Sequence, residues 1–245
     1  SGKIARDGQG LEERMDRLKA MGAQIVLANC DTSSEKQVES LLSDIRKDCG
    51  PVRIVIHAAG ILDDKMFIRQ DAESMRKSFG PKADGAWYLH KHTQQDKLDA
   101  FVCYSSIAAN YGNFGQANYA SSSTYMDELC RWRSARGLPS VSVQWPGIKE
   151  VGMAAAMDER VKVRDEVSVG PAVVKQVVRQ VCAGWEPLEA VQAVCPIGQL
   201  IPMQRQHSSM LEPLLQPFID GLHVVNGELR CQLHASSETV PLPRG

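Results

Sequence analysis

Apolar positions along this chain fall into two alternating periods, one of about 3.6 residues and one of short continuous runs. Residues 11–21 (LEERMDRLKAM) place Leu11, Met15, Leu18 and Met21 on one helical face, and Gly22 supplies the stop. QIVLANC at 24–30 predicts a strand; Asp31-Thr32-Ser33-Ser34 then offers a turn and cap before Val38, Leu41, Leu42 and Ile45 recur at helical spacing over 35–48. RIVIHA begins another strand at Arg53, and helices are predicted over roughly 71–79 and 82–95, divided by Gly80-Pro81. A strand at 100–106 (AFVCYSS), a helix at 117–136 ending at Gly137 and a strand at 140–145 (SVSVQW) follow. Apolar strands joined by helical crossovers indicate a parallel sheet covered on both faces, and right-handed connections make it a doubly wound, Rossmann-like α/β fold.

After Pro146 the pattern loosens. A helix is predicted at about 170–184, a short strand at about 190–195 and a short helix around 207–217. HVVNGELRCQLH carries a hairpin turn at Asn226-Gly227, ahead of a tail rich in Ser and Pro. The division expected is an α/β domain over 1–200, a helical extension over 201–222, and a linker or the start of a further segment over 223–245.

Composition narrows the function classes. Twenty-eight basic residues face 29 acidic ones without a Lys/Arg cluster, which leaves no electrostatic case for nucleic acid or an anionic membrane surface. The longest apolar runs fall short of the ~20 residues a membrane span needs. Seven cysteines, odd in number and never spaced as C-x-x-C, argue against a disulfide framework and a zinc site and for a reducing, cytoplasmic setting. Cys103, inside an apolar run, reads as core packing, and no metal site is expected from the histidine spacing.

Ligands of open parallel sheets bind outside the carboxyl ends of the strands. Those positions are Cys30-Asp31, Ala58-Ala59-Gly60, Ser105-Ser106 and Trp145-Pro146-Gly147. Taken singly, Gly60 and Gly147 read as turn glycines, Asp31 as a helix cap and Lys82 as a solvated surface lysine. Ser106 and Tyr119 are sharper: one ends a strand, and the other starts the next helix 13 residues later. A hydroxyl and a phenol so placed can meet around one carbonyl oxygen, but a phenol with an ordinary pKa near ~10 needs a neighbouring cation to act as an acid at neutral pH. The residue four past Tyr119 is Ser123, not lysine; Lys82, just after Gly80-Pro81, is the candidate cation.

Here the sequence resembles a family. HAAGILDD (57–64), FGPKADGAWYLH (79–90), FVCYSSIAANYGNFGQANYA (101–120), MDELCRWRSARGLPSVSVQW (126–145) and ANCDTSS (28–34) are similar, in order and spacing, to the ketoreductase domain of polyketide and fatty acid synthases, a branch of the short-chain dehydrogenase/reductase superfamily. The resemblance runs over about residues 1–200. It implies NADPH-dependent reduction of a β-ketoacyl thioester carried by the phosphopantetheine arm of an acyl carrier protein, with other synthase domains in the same polypeptide as partners. Ser106 is then expected to bond the substrate carbonyl, Tyr119 to deliver the proton, and Lys82, in the family's P-K-x-x-G segment, to depress the tyrosine pKa. Asp31 is expected at the adenine, Ala58, Ala59 and Gly60 along the ribose and nicotinamide, and Trp145, Pro146 and Gly147 beside the nicotinamide. Ile148 to Met157 is expected to begin a substrate lid. Leu62-Asp63-Asp64 resembles the mark of B-type ketoreductases, which implies a D-configured hydroxyl.

Two departures bear on activity. The family's relay asparagine is replaced by Ser123, which predicts a slower enzyme, or an inactive one retained as a structural or docking domain. No Gly-rich strand-to-helix turn precedes residue 11, so the pyrophosphate cradle and the first β-α unit of the fold are expected to be missing from this stretch. A free-standing reductase of small ketones is the other reading, separated by whether carrier or acyltransferase domains adjoin.

Overall fold

A computed structural model of the chain describes residues 11–149, 168–182, 190–194, 222–225 and 228–231. Its element order is α1 (Leu11–Ala20), α2 (Glu35–Asp48), β1 (Ile54–His57), a 3-10 turn (Phe67–Arg69), α3 (Ala72–Phe79), a π turn (Gly80–Asp84), α4 (Gly85–His92), β2 (Ala100–Ser106), α5 (Ala108–Tyr111), α6 (Ala117–Ser134), β3 (Val141–Trp145), α7 (Pro171–Cys182) and β4 (Val191–Ala193). These belong to a unit spanning Ser1–Cys195. In a second unit, Pro196–Gly245, β5 (Leu222–Val225) and β6 (Glu228–Cys231) pair antiparallel with Val225 opposite Glu228, as the hairpin signal predicts. The expected helix around 207–217 lies outside the described residues.

The sheet is parallel throughout, in the order β1-β2-β3-β4, with Ile54 beside Ala100 and Ser106 beside Trp145. Val38 and Leu42 of α2 lie one turn apart and pack with Val55, Ala86, Phe101, Cys103, Met126, Leu129 and Cys130 on one face. Val102, Val141, Val143 and Trp145 meet Val174, Val177 and Val181 of α7 on the other. Arg46 near the end of α2 reaches the His92 carbonyl at 2.5 Å and Asp96 at 2.6 Å, tying α2 to the exit of α4.

Two predicted features differ. QIVLANC at 24–30 forms no strand, and Val26 and Leu27 are 62% and 52% exposed. Extended backbone becomes a strand only when a neighbour completes its ladder, and β1, the edge of the sheet on that side, pairs with β2 alone. The apolar face of α1 is likewise uncovered among the described residues, although the helix ends as read: Gly22 has φ +87°, with Ala23 N–H donating to the Leu18 carbonyl and Gly22 N–H to that of Lys19.

Gly80-Pro81 does not separate two helices. The path from Ala72 to His92 stays helical and widens into the π turn, which accommodates a proline that has no N–H to give. Carbonyls at the widened turn take other partners: the Thr32 hydroxyl donates to Pro81 O at 3.1 Å, and His57 Nε2 meets Lys82 O at 2.9 Å. The fit is close, because a Cβ on Gly85 would lie 3.0 Å from Thr32 Cβ and 3.1 Å from His57 Cε1.

Alanine normally improves on glycine inside a helix by ~1 kcal/mol. Gly85→Ala is expected to do the reverse, lowering stability by about 1–3 kcal/mol because neither neighbour can retreat. A urea titration that moved the midpoint upward would contradict the close packing seen here.

Candidate active site

The π turn is what turns Lys82 inward. Its side chain is 1% exposed, its Nζ donates to the Tyr104 carbonyl at 3.4 Å, and it stands 4.1 Å from the centroid of the Tyr119 ring. Burial pushes the ammonium down to about 8, against the opposing pull of Asp127 and Cys103. Lys82 is therefore no surface lysine.

Tyr119 lies in the first turn of α6, buried, and its hydroxyl is hydrogen-bonded by the side chain of Ser106 at the end of β2. Ser106 Oγ also accepts from Ala108 N–H at 3.2 Å, which fixes the hydroxyl in the turn after the strand. Burial pushes the phenol up to about 12, the Ser106 bond lowering it and the Asp64 charge raising it further. In the resting site burial governs the net direction, and Lys82 Nζ over the ring face does not bring the phenol below its ordinary range. The consequence is a phenol that holds its proton firmly in the resting site.

The segment after β1 is bolted to the approach to Tyr119. Lys65 N–H donates to Gly115 O at 2.9 Å, Gln116 Nε2 donates to Asp64 at 3.0 Å, and Asn118 Nδ2 donates to Asp63 O at 3.0 Å and to Ser74 O at 3.2 Å. The Asp63 carboxylate caps this arrangement by accepting from the Ser74 hydroxyl at 2.7 Å, which holds it below the usual carboxylate range, with Lys65 and Lys77 nearby. Asp63 and Asp64 are thus joined to Asn118 and Gln116, the residues that lead into Tyr119. Sequence reasoning missed Asn118 as a fastener; its place directly before Tyr119 was the available signal. It also missed His57, whose buried ring, kept neutral by burial, holds the carbonyl of Lys82.

Other predicted residues are placed differently from one another. Ser123 is fully buried and its hydroxyl donates to the Tyr119 carbonyl at 2.8 Å, so it is spent on the helix backbone and does not face a relay. Trp145 is 4% exposed and packs on Tyr104 at 5.3 Å, so its ring belongs to the core; Pro146 and Gly147 carry the chain out of β3, where Val169 N–H donates to Gly147 O at 2.9 Å. Ala58, Ala59 and Gly60 follow β1. Asp31 is exposed and its carboxylate accepts from Ser33 N–H at 2.9 Å, a turn-forming bond ahead of α2. Of the lid segment, only Ile148 and Lys149 are described, and Ile148 bridges Val169.

A parallel sheet bearing a serine, a tyrosine and a buried lysine around its strand ends defines the short-chain dehydrogenase/reductase class. A family model described as the KR domain matches residues 2–150. The chain is 40% identical over 145 residues to polyketide synthase GfsB of Streptomyces halstedii, and 35% identical over 143 residues to squalestatin tetraketide synthase of Phoma sp. (strain C2932). Each match covers 58% of this chain, and 3% and 6% of those proteins respectively. Among solved structures, the first ketoreductase of the tylosin PKS aligns with a TM-score of 0.68 at 30% identity, covering 82% of this chain and 43% of that one. An A1-type ketoreductase aligns with a TM-score of 0.68 at 30% identity, covering 77% and 40%. The chain belongs to the ketoreductase (KR) domain family of polyketide synthases.

That superfamily uses a nicotinamide cofactor, and the described residues fit one half of it. The Ala58-Ala59-Gly60 run leaves the end of β1 without bulk, and Lys82 spends one of three ammonium donors within the protein, on Tyr104 O. A Gly-rich turn for the pyrophosphate is not found among the described residues.

The depressed lysine has a linkage signature. Below pH 8 both folded and unfolded chains carry the Lys82 proton; between about 8 and 10.5 the unfolded chain holds it longer, so stability rises with pH. Tyr119 acts oppositely, since from 10 to about 12 the unfolded chain loses its proton first and stability falls. Lys82→Met is expected to lack the rise across pH 8 to 10.5, a difference of about 3 kcal/mol at most in denaturation curves; parallel curves for both proteins would refute the buried charge. Asn118→Ala removes the side-chain donor that bridges the Asp63 and Ser74 carbonyls and is expected to cost about 1–3 kcal/mol, read as faster proteolysis of the 61–71 segment.

Proposed function

We propose that this chain is part of an NADPH-dependent ketoreductase that reduces a β-ketoacyl thioester, presented by an acyl carrier protein within a longer polyketide synthase, to the β-hydroxyacyl thioester. The observation that carries the reading is the meeting of Ser106, Tyr119 and Lys82 at the carboxyl ends of β1 and β2. NADPH, when bound, supplies the hydride. Ser106 donates to the β-carbonyl oxygen and orients it toward the Tyr119 hydroxyl. As the new C–H bond forms at the β-carbon and the C=O electron pair moves to oxygen, the Tyr119 proton passes to that oxygen and leaves a tyrosinate. The Lys82 ammonium, 4.1 Å from the ring, favours that anion, and the tyrosinate then recovers its proton from water. Leu62, Asp63 and Asp64 line the route to Tyr119 and bias the carbonyl toward the face that yields a D-configured hydroxyl.

Support comes from the family membership and from the preserved order of the three residues. The chain spans 3% to 7% of the curated relatives it matches, and adjoining carrier and acyltransferase domains belong to the proposal in the same sense. Commitment of the Ser123 hydroxyl to Tyr119 O favours the second reading, a domain with an impaired relay kept for assembly.

NADPH oxidation with a β-ketoacyl thioester mimic, measured for the chain alone and within its longer parent, separates the two. Turnover by the parent, lost by at least ~10²-fold on Tyr119→Phe, with a D-configured product on chiral analysis, is expected. A folded parent that binds NADPH and does not turn over would leave the assembly reading.

A further inference from the structure

The ammonium of Lys82 is held loosely at its tip. Its bond to the Tyr104 carbonyl is 3.4 Å long, beyond the usual ~2.9 Å of an N–H···O bond, and the Tyr119 ring attracts it at 4.1 Å from the centroid without fixing a direction. Where Nζ stands over that ring is therefore decided by where the stem begins, on the main chain of the π turn Gly80–Asp84. That main chain is gripped from outside the helix. The Thr32 hydroxyl donates to Pro81 O at 3.1 Å, and His57 Nε2, on a ring 2% exposed, donates to Lys82 O at 2.9 Å. Within the helix Lys82 O shares the Gly85 N–H with Gly80 O, so His57 supplies it with a bond of its own. The same neighbours press on the turn sterically: a Cβ on Gly80 would meet Ser33 Oγ at 2.8 Å, and one on Gly85 would meet Thr32 Cβ and His57 Cε1 at 3.0 and 3.1 Å.

We propose that His57, together with Thr32, is a positioning residue for the reduction: the pair holds the backbone of Pro81 and Lys82 so that the lysine stem delivers Nζ to the face of the Tyr119 ring. Both act on carbonyls of the turn rather than on Nζ or the phenol. The π turn carries one residue more than regular helix, and relaxing it to regular spacing would rotate Lys82 about the helix axis by up to about 100°. Such a rotation takes the ammonium away from the ring. The two outside bonds keep the wider path, and with it the meeting of Lys82 and Tyr119. The functional consequence rests on the ketoreductase reading above, but the placement of Lys82 concerns this chain alone.

A methylene next to an ammonium over an aromatic face is shifted upfield by the ring current. The Lys82 Cε–H signal in ¹³C-lysine-labelled protein, assigned by its loss in Lys82→Met, therefore reports the placement by NMR without turnover. His57→Gln and His57→Met are matched in length, and of the two only glutamine can donate to Lys82 O. His57→Gln is expected to keep the upfield signal, and His57→Met to move it most of the way to that of an exposed lysine. Thr32→Val, which keeps shape and removes the hydroxyl, is expected to move it the same way by less. A folded His57→Met protein with the signal unmoved, or a folded His57→Gln protein that loses it as His57→Met does, overturns the proposal. Should a His57 variant not fold, Thr32→Val decides, and an unmoved Lys82 signal there overturns it equally. In the longer parent, His57→Met is expected to lower kcat by about 10–10²-fold with KM little changed, and His57→Gln to recover part of the loss; an active parent with kcat untouched by His57→Met also counts against the role. An inactive parent leaves the NMR result standing, and an unmoved lysine leaves the reductase reading standing.

Discussion

An ammonium group out of water, under an aromatic ring and between two elements of secondary structure, is the constraint on which this site depends. Desolvation alone would drive Lys82 neutral. What keeps it useful is a set of compromises around it: a carbonyl of β2 to bond, a π face to stand on, and a helix path widened by one residue so that the stem enters from below. Each has a cost elsewhere in the fold. The widened turn needs Thr32 and His57 to take up its carbonyls, and their closeness leaves room for glycine alone at position 85.

The burial of α6 follows from the same requirement. A helix with serine at 121, 122 and 123 and aspartate at 127 looks solvated in a helical projection, yet Ser122, Ser123, Met126, Asp127, Cys130 and Arg133 are all buried. Small side chains bonded back to the helix, such as Ser122 and Ser123 on the Tyr119 carbonyl, satisfy their own polarity and let neighbouring elements approach. The helix can then carry Tyr119 into the interior next to Lys82.

Much of the sheet was legible because the signals were local. AFVCYSS is a strand over the predicted bounds, α2 runs over the predicted span, and Gly22 ends α1 in the expected geometry. The pairing of Ser106 with Tyr119 was legible from spacing, and Lys82 from its place in a motif. What was not legible depends on partners far away in sequence. Residues 24–30 have strand composition and no ladder, Trp145 ends a strand but its ring turns into the core, and Gly80-Pro81 reads as a break where tertiary contacts maintain a helix. Whether Ser123 faces a cleft or its own backbone is a choice of rotamer, which spacing does not encode.

The lattice between the Asp63-Asp64 segment and residues 113–118 has a consequence for transplantation between enzymes. A main-chain bond joins Lys65 to Gly115, and side chains of Gln116 and Asn118 reach across to Asp64 and Asp63. The two stretches are 52 to 55 residues apart along the chain at the side-chain contacts, but they behave as one mechanical part. A donor loop grafted at 61–65 into another reductase arrives without its mates and must renegotiate its seat beside the tyrosine. The part that seats the 61–65 segment is therefore bipartite, a loop and the lead-in to a helix, and swapping either half by itself divides a single device.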